Sequence, residues 1–180
     1  MPAMREAPDL GIPEVKPAIE SIRGRWERKM SPRRRHALLQ GRLWALLDAT
    51  FAGLGETGTE WRFYLLPPDQ EPSSLVPDVA YVSYERMPES YGELREKPTI
   101  APDIAVEILS PGDRVATLEA KIALYLANGT RLVIVVDSIE RSVTFHEAAG
   151  IRVVALPRAI AVSDVYPELR IDLDALFARI

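Results

Sequence analysis

Pro102-Asp103-Ile104-Ala105-Val106-Glu107-Ile108-Leu109-Ser110 reads as a buried β-strand that carries a glutamate in its apolar middle. Side chains alternate faces along a strand, so Asp103, Ala105, Glu107 and Leu109 share one face. Ile104, Val106 and Ile108 share the other. Burying a carboxylate without a partner costs on the order of several kcal/mol. The strand therefore predicts a cationic or metallic partner for Glu107.

Two neighbouring stretches can supply it. Upstream, Leu75 to Val82 is apolar on both faces except at Asp78, which reads as a central strand opened by Pro77-Asp78. Downstream, the periodicity predicts a helix over about Val115–Asn128, with Leu118, Ile122, Tyr125 and Leu126 on its apolar arc and Leu124 beside it. Lys121 falls inside that arc, where a lysine must snorkel, pair with an acid or lose its proton. If the two strands are neighbours, Asp78 and Glu107 present oxygens to one hard cation. Two carboxylates and a lysine suit metal-dependent phosphodiester hydrolysis. The ion polarises the phosphate and activates water, and the lysine orients that water and offsets developing charge. From the residue types alone, a buried Glu107–Lys121 salt bridge without catalysis stays open beside this reading.

Composition narrows the choice of ion and partner. The chain has 180 residues, enough for one domain with its own core, and no cysteine. Thiolate metal sites, disulfides and cysteine nucleophiles are thereby excluded. His36 and His146 are the only histidines, too few for a histidine-rich zinc site, so a metal here would be magnesium or manganese held by oxygen. No apolar run approaches the ~20 residues of a membrane span, and the N-terminus lacks a signal-peptide core, so a cytoplasmic location is expected. Net charge is −4, but Arg23, Arg25, Arg28, Lys29, Arg33, Arg34, Arg35 and Arg42 crowd one early segment. Such asymmetry marks either a polyanion-facing surface or a solvated helix entrance.

Residues 1–17, with four prolines, read as a flexible arm, and 18–180 as a single domain. Ile19 to Met30 reads as a hairpin turning at Arg23-Gly24. Ser31-Pro32 is a helix start, with serine as cap, and the helix runs to about Phe51 with Leu39, Leu43, Leu46 and Thr50 on one face. Gly53 and Gly55 are expected to end it. A strand over Trp61–Leu66, the strands around Asp78 and Glu107, the Lys121 helix and a buried strand over Leu132–Val136 follow. A hairpin (Val143–Glu147 with Ile151–Leu156), a strand at Leu169–Asp172 and a terminal helix complete the chain. The fold class is a mixed α/β sheet flanked by helices, with core order αβββαβ and extra terminal strands.

Pro77-Asp78-Val79-Ala80, the Pro102–Pro111 strand, and Lys121 with Tyr125 together resemble the Uma-two (Uma2) family of restriction-endonuclease-like proteins, within the PD-(D/E)XK nuclease superfamily. The similarity extends from about residue 19 to 180, through Met30-Ser31-Pro32 with His36, Gly129, Asp137 and Tyr166-Pro167-Glu168-Leu169. The resemblance implies a magnesium-dependent endonuclease of DNA, with Asp78 and Glu107 as metal-holding acids. The superfamily's lysine two residues after the glutamate is Leu109 here; in this family the following helix supplies it, at the place of Lys121. Three positions depart from the family pattern. Thr117 replaces an aspartate, Val133-Ile134 replaces an aromatic pair, and Arg23-Gly24-Arg25 replaces an acidic turn. A noncatalytic nucleic-acid-binding or assembly module on the same fold is the alternative these departures favour.

Several residues carry secondary readings. His36 lies on the inward face of its helix, as a proton carrier or phosphate contact, or as a core histidine. Glu20 matches a family acid, or lies on the surface. Asp103 supports the metal from behind Glu107, or caps the strand entry. Arg33, Arg34 and Arg35 either bind DNA phosphates at the helix N-terminus or solubilise it. A homodimer is compatible with cutting two strands.

Overall fold

The computed structural model describes residues 4–29, 32–66, 71–157 and 160–180. In chain order the strands are β1 (Ile19–Ile22) and β2 (Arg25–Arg28), then, after helix α1 (Arg34–Thr50), β3 (Gly55–Thr59), β4 (Phe63–Leu65), β5 (Ser73–Leu75) and β6 (Val79–Ser83). A 3-10 segment (Glu89–Arg95) leads to β7 (Ile104–Leu109), α2 (Val115–Ala127) and β8 (Leu132–Asp137). The chain ends with β9 (Ser142–Glu147), β10 (Gly150–Ala155), β11 (Ile160–Val162), β12 (Arg170–Asp172) and α3 (Leu173–Leu176).

The main sheet has six strands in the order β10-β9-β8-β7-β6-β3. Only β7 and β8 in it are parallel, joined by α2 as a crossover, and the other pairs are antiparallel. Strands buried on both faces read as continuous apolar runs, and β7 and β8 are of that kind. On one face Ile104, Val106 and Ile108 pack with Leu39, Leu43 and Leu47 of α1 and with Leu173 and Leu176 of α3. On the other, Ala80, Ala105, Val133 and Val135 pack with Ile122, Leu124 and Tyr125 of α2 and with Phe63, Leu65 and Leu75 of a four-stranded sheet, β2-β1-β5-β4. The αβββαβ core is present as α1-β3-β6-β7-α2-β8; its first strand is β3, and the strand expected at Trp61–Leu66 is β4 in the small sheet.

The stretch from Leu75 to Val82 is not one strand. It divides at Val76-Pro77-Asp78, leaving β5 in the small sheet and β6 in the large one. Proline has no N–H to give a ladder. The Val76 N–H instead donates to Glu20 Oε1 at 2.6 Å, and the ladder with β7 resumes when Asp78 N donates to Val106 O at 2.9 Å. The first core strand, β3, was not expected, because Gly53 and Gly55 were read as the end of the helix. Gly55 serves close approach instead: a Cβ there would clash with Val82 O and lie 2.6 Å from the Tyr81 ring and 2.8 Å from Ser83 Cα. Gly55→Ala is therefore expected to destabilise the protein by about 1–3 kcal/mol, the usual cost of overpacking, read as a lower urea midpoint. An unchanged midpoint would show that β3 can shift without loss.

Smaller differences have simple causes. Helix α1 starts at Arg34 with Arg33 at the cap position and no side-chain cap bond; the expected cap, Ser31, lies outside the described residues. Its buried stripe is Leu39, Leu43 and Leu47, one position from the expected Leu46. Residues 67–70 also lie outside the described residues, and Ser73–Leu75 beyond them is β5. Residues 4–18 hold no regular element but lie on the domain: Met4 is buried, and the Arg5 backbone exchanges two 3.1 Å hydrogen bonds with the Thr99 hydroxyl. Among the described residues no helix is long and apolar enough to cross a membrane.

Candidate active site

β6 and β7 are antiparallel with Val79 opposite Val106, so Asp78 and Glu107, the next residues outward on each strand, lie at the same end of the pairing. Both side chains emerge on the face covered by α2 and the small sheet, at the point where the chain crosses between sheets. Lys121 reaches them from α2, Glu20 from β1, His36 from α1, and Lys29 from just beyond β2. Glu20, Lys29, His36, Asp78, Glu107 and Lys121 all line one cleft of about 280 Å³, which Arg28, Arg114 and Thr117 border as well.

Lys121 Nζ lies 2.7 Å from Glu107 Oε2 and 3.0 Å from Glu20 Oε2, and only 5% of the residue is exposed. The Tyr125 hydroxyl donates to Glu107 Oε1 at 3.0 Å. Asp78 Oδ2 accepts from Ile108 N at 2.7 Å and lies 3.2 Å from His36 Nε2. Its other oxygen, Oδ1, accepts from Lys29 Nζ at 2.6 Å. Lys29 also donates to Val76 O at 2.8 Å and Glu60 Oε1 at 3.2 Å. Three buried carboxylates, Glu20, Asp78 and Glu107, thus face two ammonium groups and one imidazole.

The electrostatics separate the two central acids. Burial, which disfavours charge, lifts Glu107 to about 7 despite the opposing field of Lys121, and the nearby Glu20 and Asp78 charges add to the rise. Burial acts on Asp78 as well, but Lys29 and the His36 hydrogen bond outweigh it and hold its carboxyl well below the usual range. Lys121 and Lys29 are each pulled down by burial and raised further by their carboxylate neighbours, so both stay charged. His36 is raised by its bond to Asp78 in spite of burial, and its Nδ1 has no partner among the described residues. Two acids in one site with opposed shifts are a frequent mark of function, although structural ion pairs produce them too.

The expected residues do not all converge. Asp78, Glu107, Lys121, Glu20 and His36 come together. Asp103 does not: it sits four residues back along β7, roughly 13 Å at the usual strand rise. Its carboxylate accepts from Ser83 N at 2.8 Å and pairs with Arg86 at 3.4 Å, so it secures the strand entry. Arg33, Arg34 and Arg35 are exposed at the start of α1 and line neither the cleft nor the cavity beside it; Arg34 donates to Arg179 O. Asp137 caps its own turn, accepting from Ile139 N and Glu140 N. Sequence reasoning missed Lys29, which was grouped with the surface arginines. The one available signal was alternation in β2, which puts Lys29 on the face of Glu27, opposite Glu20 across the hairpin.

Among the described residues no three His, Asp or Glu side chains converge as a preformed metal cage. That does not count against magnesium, which is usually held by one or two carboxylates and completes its shell with water and phosphate. The pair Asp78 and Glu107 is an all-oxygen donor set of that kind, and among the described residues Asp78 Oδ1 and Glu107 Oε1 each have a single hydrogen-bond partner.

No curated protein matches the sequence. A family model described as "Putative restriction endonuclease", Uma2, matches residues 8–174. Among solved structures, the chain is similar to a "putative nuclease belonging to DUF820" from Anabaena variabilis. The two are 27% identical, the match covers 94% of each chain, and the TM-score is 0.82. A strand pair that brings Asp78 beside Glu107, a helix lysine held on Glu107 and a family match over nearly the full length agree: the chain belongs to the Uma2 family.

Proposed function

We propose that this protein is a metal-dependent endonuclease that hydrolyses phosphodiester bonds of DNA. The observation that carries the reading is that adjacent strands bring Asp78 and Glu107 into one cleft, with Lys121 held on Glu107 inside it. In this reading Asp78 and Glu107 hold magnesium or manganese. When bound, the ion polarises the phosphate and helps generate the attacking hydroxide.

The chain's own residues do the rest. Lys121 donates to Glu107 and pairs with Glu20, and with three N–H groups it keeps a donor to orient a water against the phosphorus. That water adds to phosphorus, the bond to the leaving oxygen breaks, and the leaving oxygen takes up a proton. His36 lines the cleft, and its bond to Asp78 favours the imidazolium form, which would attract the phosphate's negative charge. Arg28 and Arg114 line the cleft and offer cationic contacts to the backbone on either side of the scissile group. Cutting both strands would engage two copies of the chain.

The test is nicking and linearisation of supercoiled plasmid with magnesium or manganese, with and without chelator. Cleavage is expected only with the ion, and Asp78→Asn is expected to lower its rate by about 10² or more. A second reading draws on the fact that lysines already compensate the carboxylates: a DNA-binding module that no longer cuts. Salt-sensitive DNA binding with no cleavage in either metal would establish it in place of the nuclease.

A further inference from the structure

Among the described residues, Lys29 Nζ is held by oxygens alone. Its three N–H groups go to Asp78 Oδ1 at 2.6 Å, Val76 O at 2.8 Å and Glu60 Oε1 at 3.2 Å, an arrangement that would serve a hard metal ion as well as an ammonium. Asp78 Oδ2 is already engaged by Ile108 N and His36, so Oδ1 is the oxygen left to face a cation. A divalent ion bonded there would stand roughly 4 Å from Nζ, given metal–oxygen bonds of about 2.1 Å. Two positive charges so close on one oxygen repel strongly where water is scarce. The side chain has somewhere to go. Lys29 lies on the wall between the cleft and a second cavity of about 650 Å³, and it lines both together with His36 and Asp78.

We propose that Lys29 is the resident cation of Asp78 in the metal-free protein, that the divalent ion displaces it, and that the freed ammonium becomes a second lysine contact to the phosphodiester. This rests on the metal-site reading above. It assigns Lys29 a role that Lys121 cannot take, since Lys121 stays on Glu107 and Glu20.

The experiment follows manganese binding by electron paramagnetic resonance, and acylation of Lys29 by mass spectrometry, in the wild type and in Lys29→Met. In the wild type, Lys29 is expected to be poorly acylated without metal and acylated severalfold faster with saturating manganese. Lys29→Met is expected to bind manganese about tenfold more tightly, with one opposing charge removed, and to raise KM for DNA. Manganese binding to the wild type with Lys29 still protected would overturn the displacement and leave the metal site standing. Binding to Lys29→Met alone would uphold Lys29 as the occupant and overturn metal dependence of the natural chain. Binding to neither would overturn both. Should Lys29→Met fail to fold, acylation of the wild type decides the matter by itself.

Discussion

Glu107→Gln is expected to lower metal-dependent cleavage by about 10³-fold or more while leaving a folded protein. The glutamine keeps the shape and one oxygen, so it can still accept from Tyr125 or Lys121, but it brings no charge to a cation. Manganese binding should weaken in parallel, which separates this outcome from simple misfolding. The variant also isolates the pH behaviour of the site. Burial lifts Glu107 to about 7, above its ordinary value of 4.5. The folded protein therefore binds more protons than the unfolded chain between those values. The stability that Glu107 contributes is full below its unfolded value and is lost as pH rises through about 7. Charged groups around it are Lys121 from α2, Glu20 from β1, Asp78 from the start of β6 and Lys29 beyond β2. In metal-free buffer, wild-type stability is expected to fall from pH 5 to pH 8 more steeply than that of Glu107→Gln. His36 contributes a slope of the same sign in both proteins, so the difference reports Glu107. Equal slopes would mean that Glu107 is already ionised at pH 5.

How much of this was legible beforehand depended on whether the signal was local. Glu107 and Lys121 declared themselves because each breaks an apolar pattern set by its immediate neighbours, and both are buried where the pattern put them. The strand partnership of Asp78 with Glu107 was legible only as a condition, and the register meets it. The β5–β6 division was hidden because Val76 and Pro77 are apolar and buried, so the run looks unbroken while the proline ends its hydrogen bonding. Strand β3 was hidden because Gly-Glu-Thr-Gly-Thr has no apolar alternation, its strand state being imposed by pairing with β6. Lys29 was hidden for another reason: nothing beside it in the chain marks it. Its partners lie 31 to 49 residues away, and only the hairpin's return to β1 and β5 brings it to Asp78.

The second large effect belongs to Lys121. Lys121→Met keeps the length and apolar stem but leaves Glu107 Oε2 and Glu20 Oε2 without a cation, in a site where both acids are more than nine-tenths buried. Breaking a buried pair from one side typically costs about 3–5 kcal/mol, because the stranded charge keeps its desolvation penalty. Here the loss should depend on pH. Glu107 lies near neutrality even with Lys121 present, and without that ammonium it is held protonated to higher pH still. Urea denaturation is expected to show a large deficit at pH 8 and a smaller one near pH 5.5, where protonation removes one of the stranded charges. Glu107→Gln combined with Lys121→Met should recover more than half of the deficit at pH 8, since only Glu20 then lacks a counter-charge. Cleavage should be absent in the double variant as in each single one. Stability within about 0.5 kcal/mol of the wild type at both pH values would show that Lys121 is not the charge that makes burial of Glu107 tolerable. The same lysine then could not be fixed beside the reacting water, because its position in the cleft rests on those two carboxylates.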